Sequence, residues 1–390
     1  MTWSIRPGGY SIAPAATSSV LARVEKDLRE IWTAPTKPGE PPKSRVCTMN
    51  LVVAAGSREL ADKYTPIVDE VTSQMPSRAI IVALDPESPI HSLEGEAVAV
   101  CSFGESGTAL CSERVRLNAS GVVCARVGSA VESLLVPEIP TTLVWLGRVH
   151  VEDAVFLSMV REAHRVVLDT EYTSLASLLH LARWARDEPG RPAVADLAWT
   201  RLATWQELCA RFFDEPKLRA HASAVTRITL RQASDKGARL GSEGSLILGW
   251  LATRLGWKTV RMGGALRFQR PDGKSVVVQL GALPRPEGVA PAALAGIVIE
   301  ADAGGLKLTG SIERDLGSGA AMEGKTPDAD VVLWKLGVAG QPALEQRVRL
   351  RANKGAKVLE RTLHRPPNDP ALMESVAFAE QFFEDGMVAG

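Results

Sequence analysis

The sequence predicts a two-part α/β plus α+β chain. An N-terminal α/β domain has a mostly buried sheet and a hairpin insert, and a C-terminal α+β domain has a largely antiparallel sheet. Three observations predict this. At 390 residues the chain exceeds one ordinary core, so two domains are expected. From Val46 onward, short continuous apolar runs alternate with amphipathic stretches, the pattern of a sheet covered on both faces. Beyond Val225 the apolar runs are separated by turn signals such as PDGK, which suits antiparallel strands.

Residues 17–33, TSSVLARVEKDLREIWT, place Val20, Val24, Leu28 and Ile31 on one helical face. The following APTKPGEPPKSR holds four prolines and cannot continue that helix. Residues 1–44 therefore read as a helical arm with a Pro-rich linker. The arm is either docked on its own core or reserved for a partner; docking is the expectation, because an apolar stripe is usually buried at home.

The α/β domain is placed at 45–190. VCTMNLVVAA, AIIVALDP, TTLVWLG and RVVLDT read as strands; SRELADKYTPIVDEVTSQ and the stretches around 127–135 and 153–163 read as helices. EAVAVCSFGESGTALCSERVRLNASG reads as a hairpin. With its turn centred on Ser106, Cys101 and Cys111 stand opposite each other, where cross-strand Cα separations of about 4.5–5.5 Å are compatible with a disulfide. They are the candidate redox pair; the alternative is two small apolar side chains filling a sheet face.

After residue 171 come the helix TSLASLLHLARWARDE, a break at PGRPAVA, and the helix DLAWTRLATWQELCARFF with Asp196 as its N-cap. The C-terminal domain, 191–370, begins with this Trp-rich helix. VTRITLRQ, ALRFQRPDGKSVVVQL, GIVIEA, GLKLTGSIERD, DVVLWKLG and ALEQRVRLRAN supply its strands, interrupted by the helix SLILGWLATRLGW. A tail, 371–390, carries the helix ALMESVAFAEQFFE.

Lys+Arg and Asp+Glu number 45 each, which argues against a generic nucleic-acid or anionic-membrane surface. The longest apolar runs are strand-length, so no membrane span is expected, and MTWSIRPGGYSIAP lacks the apolar core of a signal peptide. Five cysteines without a C-x-x-C spacing suit a reducing cytoplasm.

GAAMEGKT (319–326) matches the P-loop pattern through Gly319, Gly324, Lys325 and Thr326. A phosphate-binding loop must follow a buried strand and open a helix. Here polar SIERDLGS precedes it, and Pro327 and DADVVLW, a loop entering a strand, follow. The match reads as a solvated loop joining two antiparallel strands. LGSGAAM lacks the third glycine of a dinucleotide fingerprint, no G-x-S-x-G elbow occurs, and the six histidines show no metal-ligand spacing. Asp85 and Asp169 end strands where open α/β sheets bind ligands, but aspartates there also cap helices. No catalytic residue, cofactor site or metal site is assigned.

Nine tryptophans against three tyrosines are unusual, and Trp184, Trp199, Trp205, Trp250 and Trp257 fall in one region. Ala198, Leu202, Trp205, Cys209 and Phe212 form a seam along the helix from Asp196. That seam reads either as the joint between the two domains or as a protein-binding surface, since Trp and Arg dominate interface hot spots.

DLAWTRLATWQELCARFFD (196–214) and GWLATRLGW (249–257) resemble the glucose-6-phosphate dehydrogenase assembly protein family, OpcA. RVCTMNLVV, SRAIIVALDP, CSERVRLNASG, LLVPEIPTTLVWLG and HRVVLDT resemble it in the same order, over about residues 45–260. The resemblance implies a cytoplasmic, non-catalytic partner that promotes assembly and activity of glucose-6-phosphate dehydrogenase and so supports NADPH supply through the oxidative pentose phosphate pathway. Trp199, Arg201, Trp205, Trp250 and Trp257 are then the candidate partner-interface residues. The competing reading is an enzyme binding a sugar phosphate or nucleotide at the C-terminal edge of the first sheet.

Overall fold

The computed structural model describes residues 2–4, 17–33, 43–103, 109–170, 173–234, 240–262, 265–285, 289–315, 330–350 and 355–384. In chain order the first strands and helices are β1 (Thr2–Ser4), α1 (Thr17–Thr33), β2 (Lys43–Arg45), β3 (Asn50–Ala55), α2 (Arg58–Gln74), β4 (Arg78–Asp85), β5 (Ser92–Phe103) and β6 (Ala109–Ser120). There follow α3 (Val127–Leu134), β7 (Thr141–Leu146), α4 (Ala154–Val160), β8 (Arg165–Leu168), α5 (Leu175–Asp187), β9 (Ala193–Asp196), α6 (Leu197–Arg201), α7 (Ala203–Ala210) and α8 (Arg219–Ala222). Next come β10 (Val225–Ala233), α9 (Ser242–Leu255), β11 (Lys258–Met262), β12 (Ala265–Gln269), β13 (Ser275–Leu283), β14 (Leu294–Ala303) and β15 (Leu306–Arg314). The chain closes with β16 (Val331–Val338), β17 (Leu344–Arg349), α10 (Gly355–His364) and α11 (Pro370–Glu384).

Two compact units result. The first comprises residues 1–168, 183–195 and 355–368, and the second 169–182, 196–354 and 369–390. The architecture is α/β plus α+β, as the alternation of apolar runs and helices implies.

The sheet of the first unit has the order β1-β5-β6-β4-β3-β7-β8-β9, with β2 on β6. β6, β4, β3, β7 and β8 run parallel, and β5 returns antiparallel beside β6. Omitting that insert and counting from β3, the spatial order is 3-2-1-4-5-6, that of the doubly wound dinucleotide-binding sheet. β3 and β7 are buried along their whole length, which is why their sequences are continuously apolar.

α2 starts where Ser57 Oγ accepts the Leu60 N–H at 3.1 Å. The arm helix α1 lies on β5, with Val20, Val24 and Leu28 buried. Gly95 allows this approach, because a Cβ there would stand 2.8 Å from Val24 Cγ2. Trp32 Nε1 donates to Glu113 Oε1 at 2.5 Å. The arm is thus docked on its own unit.

The sheet of the second unit has the order β11-β12-β13-β10-β14-β15-β16-β17. β10 and β13 are parallel, and the other registered pairs are antiparallel. Ile228, Leu230, Ile297, Ile299, Leu308, Ile312, Val332 and Trp334 form the buried side, to which α7 and α8 contribute. The opposite side carries partly exposed pairs, Arg227–Glu300, Arg231–Glu313 and Lys335–Glu345. A half-solvated antiparallel sheet gives this alternation.

Some elements differ from the sequence expectation. The helix 196–213 is divided at Leu202 into α6 and α7 and ends as a 3₁₀ turn, Arg211–Phe213. β9 lies in the stretch read as a break, β11 follows the helix read to Trp257, and α10 lies between the last strand and the tail. β9 and β11 span 4 and 5 residues and owe their identity to neighbouring strands rather than to a pattern of their own.

Candidate functional site

The Trp-rich segment stands on a buried polar network within the second unit. Asp196 caps α6, accepting the Trp199 N–H at 3.1 Å. It also accepts the Thr170 N–H at 2.9 Å and the Thr170 hydroxyl at 2.8 Å. Burial pushes the Asp196 carboxyl above the usual carboxylate range, while these donors and Arg201 pull it back. Arg201 grips Asp169 with both prongs, Nη1 to Oδ1 at 2.9 Å and Nη2 to Oδ2 at 2.7 Å. Trp199 Nε1 donates to Asp369 Oδ2 at 2.8 Å. Asp369 in turn accepts the Ala371 N–H at the start of α11, at 3.0 Å. The network therefore anchors α6 to the N-terminus of α11.

Of the five tryptophan and arginine candidates, Trp199, Arg201, Trp205 and Trp257 are buried and Trp250 is half-buried. Trp205 retains 1% of its surface. Trp257 stacks on Phe268 at 5.7 Å between ring centroids, and its buried indole N–H meets no acceptor among the described residues. Every member of the seam Ala198, Leu202, Trp205, Cys209 and Phe212 is buried. The four buried candidates are therefore core side chains that retain 1–7% of their surface. A 3–4 spacing of large apolar residues marks a buried helical stripe, whatever covers it.

The seam reaches the surface at its C-terminal end. Phe212 stacks on Trp334 at 5.4 Å, and Trp334 Nε1 donates to the Leu208 carbonyl at 3.0 Å. The Arg211 guanidinium carbon lies 4.7 Å from the Trp334 ring centroid. Gly310 makes room for this stack: a Cβ there would stand 2.6 Å from the Phe212 ring. Beside it opens a cavity of about 400 Å³ lined by Arg211, Asp214, Leu218, Trp334, Leu336 and Leu344.

The doubly wound order of the first sheet implies a dinucleotide at the turn after β3, and the residues there do not fit one. That turn is Gly56-Ser57-Arg58, so arginine occupies the place where a second glycine would let backbone meet the pyrophosphate. Arg58 Nη2 is held by Glu94 Oε2 at 2.6 Å. Glu59 adds negative charge to the first turn of α2, where an anion would need positive potential. Asp85 is exposed at the end of β4, the place of a ribose-binding acid, but it stands without a phosphate cradle. Asp169 is engaged by Arg201.

Cys101 and Cys111 are register partners on β5 and β6 and form a disulfide, with Cα atoms 4.0 Å apart. Cys47, Cys124 and Cys209 are free thiols, each raised in pKa by burial. Ser106, the P-loop-like 319–326, LGSGAAM and Pro327 lie outside the described residues. The strands flanking the P-loop match pair antiparallel, with Arg314 opposite Val332, so that segment joins strand to strand. His164 Nδ1 accepts the Thr141 N–H at 3.1 Å, and His221 is buried between the Leu218 and Leu306 carbonyls. Among the described residues no group of three or more His, Cys, Asp or Glu could hold a metal ion, and no helix is long and apolar enough to cross a membrane.

Two family models match the chain. Residues 68–183 match the glucose-6-phosphate dehydrogenase subunit N-terminal domain, and residues 192–376 match the C-terminal domain of the same subunit. The chain belongs to the OpcA family of glucose-6-phosphate dehydrogenase assembly proteins. The match extends beyond residue 260, where the motifs by themselves are weak.

Relatives within the OpcA family include two proteins named for the OxPP cycle. OpcA of Nostoc punctiforme is 30% identical over 61% of this chain and 49% of that protein. OpcA of Synechocystis sp. is 26% identical over 56% of this chain and 47% of that protein. The chain thus spans about half the length of these relatives. Among solved structures, an oxidoreductase from Sinorhizobium meliloti aligns with a TM-score of 0.44 and 12% identity, covering 87% of this chain and 96% of that one. Levoglucosan dehydrogenase in complex with NADH aligns with a TM-score of 0.44 and 8% identity, covering 88% and 96%. A likeness of that degree has no weight for function.

For an OpcA chain, the sequence reading missed two features with consequences here. Arg165 is buried in β8 and donates to the Thr362 and Arg365 carbonyls at 2.9 and 2.6 Å, closing the C-terminus of α10. Burial pushes its pKa down. An arginine opening the apolar run RVVLDT was the available signal. The second is the Arg211–Trp334 cavity, whose walls are more than 100 residues apart in sequence.

Proposed function

We propose that this chain is a non-catalytic, cytoplasmic assembly partner of glucose-6-phosphate dehydrogenase that favours the enzyme's active oligomeric state and so supports NADPH supply through the oxidative pentose phosphate pathway. The observation that carries this reading is the ordered match of both dehydrogenase-subunit domain models from residue 68 to residue 376. The turn after β3 supports the non-catalytic part, since Arg58 and Glu59 occupy the place of a phosphate cradle.

Such a partner acts by binding the assembled enzyme better than the unassembled one. Present at 100 times its dissociation constant, it stabilises the preferred state by about 2.7 kcal/mol if the other state binds nothing. The coupling is reciprocal, so substrate that favours the same enzyme state tightens the complex. The buried Trp199, Arg201, Trp205 and Trp257 act as braces for a contact surface, with Trp250 partly in it.

Co-purification of the full chain with the dehydrogenase, followed by activity assays with and without it, is the test. Complex formation and a rise in activity are expected. Absence of both overturns the proposal. A large thermal shift with glucose 6-phosphate or NADP alone, without the dehydrogenase, would favour a ligand-binding enzyme instead.

A further inference from the structure

We infer that the outer edge of β17, with the adjoining Arg211–Trp334 cavity, takes an extended strand of the dehydrogenase partner, one apolar side chain of that strand filling the cavity and a basic one meeting Asp214.

The backbone of β17 supplies the first half of the argument. Leu350 N–H donates to the Asp330 carbonyl at 2.7 Å. With the register Val331↔Arg349 and Leu336↔Leu344, the even-numbered residues of β17 bond to β16. Consistently, Asp315 N–H reaches the Val331 carbonyl and Ala339 N–H the Lys307 carbonyl, so the odd-numbered residues of β16 bond to β15. Glu345, Arg347 and Arg349 therefore aim their backbone N–H and C=O groups away from the sheet. β17 is the terminal strand of the sheet order, and among the described residues no backbone group meets the outward side of Glu345 and Arg347, whose N–H and C=O groups form a ladder for one more strand.

The second half is the side-chain environment. Residues opposite one another share a face, so Leu344 and Gln346 lie on the same side as Trp334 and Leu336. That side holds the cavity of about 400 Å³, large enough for a bulky apolar side chain, with Trp334, Leu336, Leu218 and Leu344 as its walls. Leu344 is 59% exposed, an unusual surface for a leucine at a sheet edge. On the rim, Arg211 is engaged with the Trp334 ring, and Glu215 pairs with Lys217. Asp214 is exposed and has no ion-pair partner among the described residues. An apolar residue next to a basic one complements this rim. A second copy fits less well, because a two-fold pairing of β17 centred on Arg347 would set that arginine against its own copy.

This inference rests on the proposed function, and the test separates the two. Binding of the full chain to the dehydrogenase is measured by titration for the wild type, Glu345→Pro, Leu344→Asp and Glu345→Ala, with melting temperatures checked in parallel. Proline at 345 removes an outward N–H and leaves the bonds to β16 intact. Glu345→Pro and Leu344→Asp are expected to weaken binding at least tenfold, and Glu345→Ala to bind as the wild type. Hydrogen exchange of the wild type, which needs no variant to fold, is expected to slow at Glu345 and Arg347 only in the complex. Wild-type affinity in both variants, or unchanged exchange at these amides in a formed complex, overturns the inference alone. A wild-type chain that never binds the dehydrogenase overturns the proposed function with it. A concentration-dependent dimer of the free chain, abolished by Leu344→Asp, would give the edge to a second copy and overturn the inference.

Discussion

Arg201 distinguishes a brace from a contact most sharply. It retains 7% of its surface and Asp169 3%, and two parallel hydrogen bonds join them. Arg201→Ala removes the cation that grips the buried Asp169 carboxylate through both prongs. Breaking one side of a buried pair costs about 3–5 kcal/mol. At about 2–4 °C per kcal/mol for a unit of this size, the melting temperature should fall by about 6–20 °C. Replacing both partners, Arg201→Met with Asp169→Leu, removes both charges together and should recover part of the loss, giving a coupling energy of about 0.5–3 kcal/mol. The assay is urea unfolding of the wild type, both single variants and the double variant, combined as a cycle. A loss below about 1 kcal/mol for Arg201→Ala, or strict additivity in the cycle, would refute the bracing role. An Arg201→Ala chain that melts like the wild type and no longer binds the dehydrogenase would return Arg201 to the interface.

Three further perturbations check other parts of the structure. Gly95→Val puts a branched side chain where a single Cβ would already stand 2.8 Å from Val24 Cγ2; amides of α1 should exchange faster, and unchanged exchange would mean that α1 does not sit on β5. Alkylation of denatured, unreduced protein should modify Cys47, Cys124 and Cys209, with Cys101 and Cys111 joining after reduction; five alkylated thiols without reductant would contradict the disulfide. Arg270 first, and then the Lys274 N–H, hold the Asp272 carboxyl down to about 2. Its contribution is present above the ordinary carboxylate pKa and is lost as pH falls through the depressed value. The melting-temperature gap between wild type and Asp272→Asn should therefore close between about pH 4 and pH 2, and a gap that widens on acidification would reverse the assignment.

Much of the fold is legible in the sequence because burial on both faces imposes a continuous apolar run. β3, β4, β7 and β8 are such runs, and Ser57 and Asp196 announce α2 and α6 as side-chain caps. The cross-strand position of Cys101 and Cys111 follows from the hairpin spacing. Whether the sulfurs join does not, since two small buried residues satisfy the same alternation. Strand order is hidden for a related reason. Nothing within β3 states that β4 and β7 flank it, so the doubly wound order emerges only when the β5 insert is set aside.

The tryptophans show where composition reaches its limit. A large aromatic at every third or fourth position looks the same whether a partner or the chain itself covers it, and here the chain itself does so at Trp199 and Trp205. The surface that remains is made where that seam ends. Phe212 is fixed by the space above Gly310, Trp334 is fixed on Phe212, and Arg211 lies across Trp334 at the mouth of the cavity. Each step is short-range packing, yet together they connect the buried polar footing of α6 to the exposed edge of β17. Disturbing the footing at Arg201 should therefore weaken the cavity through loss of support, whereas Leu344→Asp acts on the edge alone. Partner binding that falls with Leu344→Asp at unchanged stability, and with Arg201→Ala only in step with unfolding, is the joint pattern this chain of contacts demands.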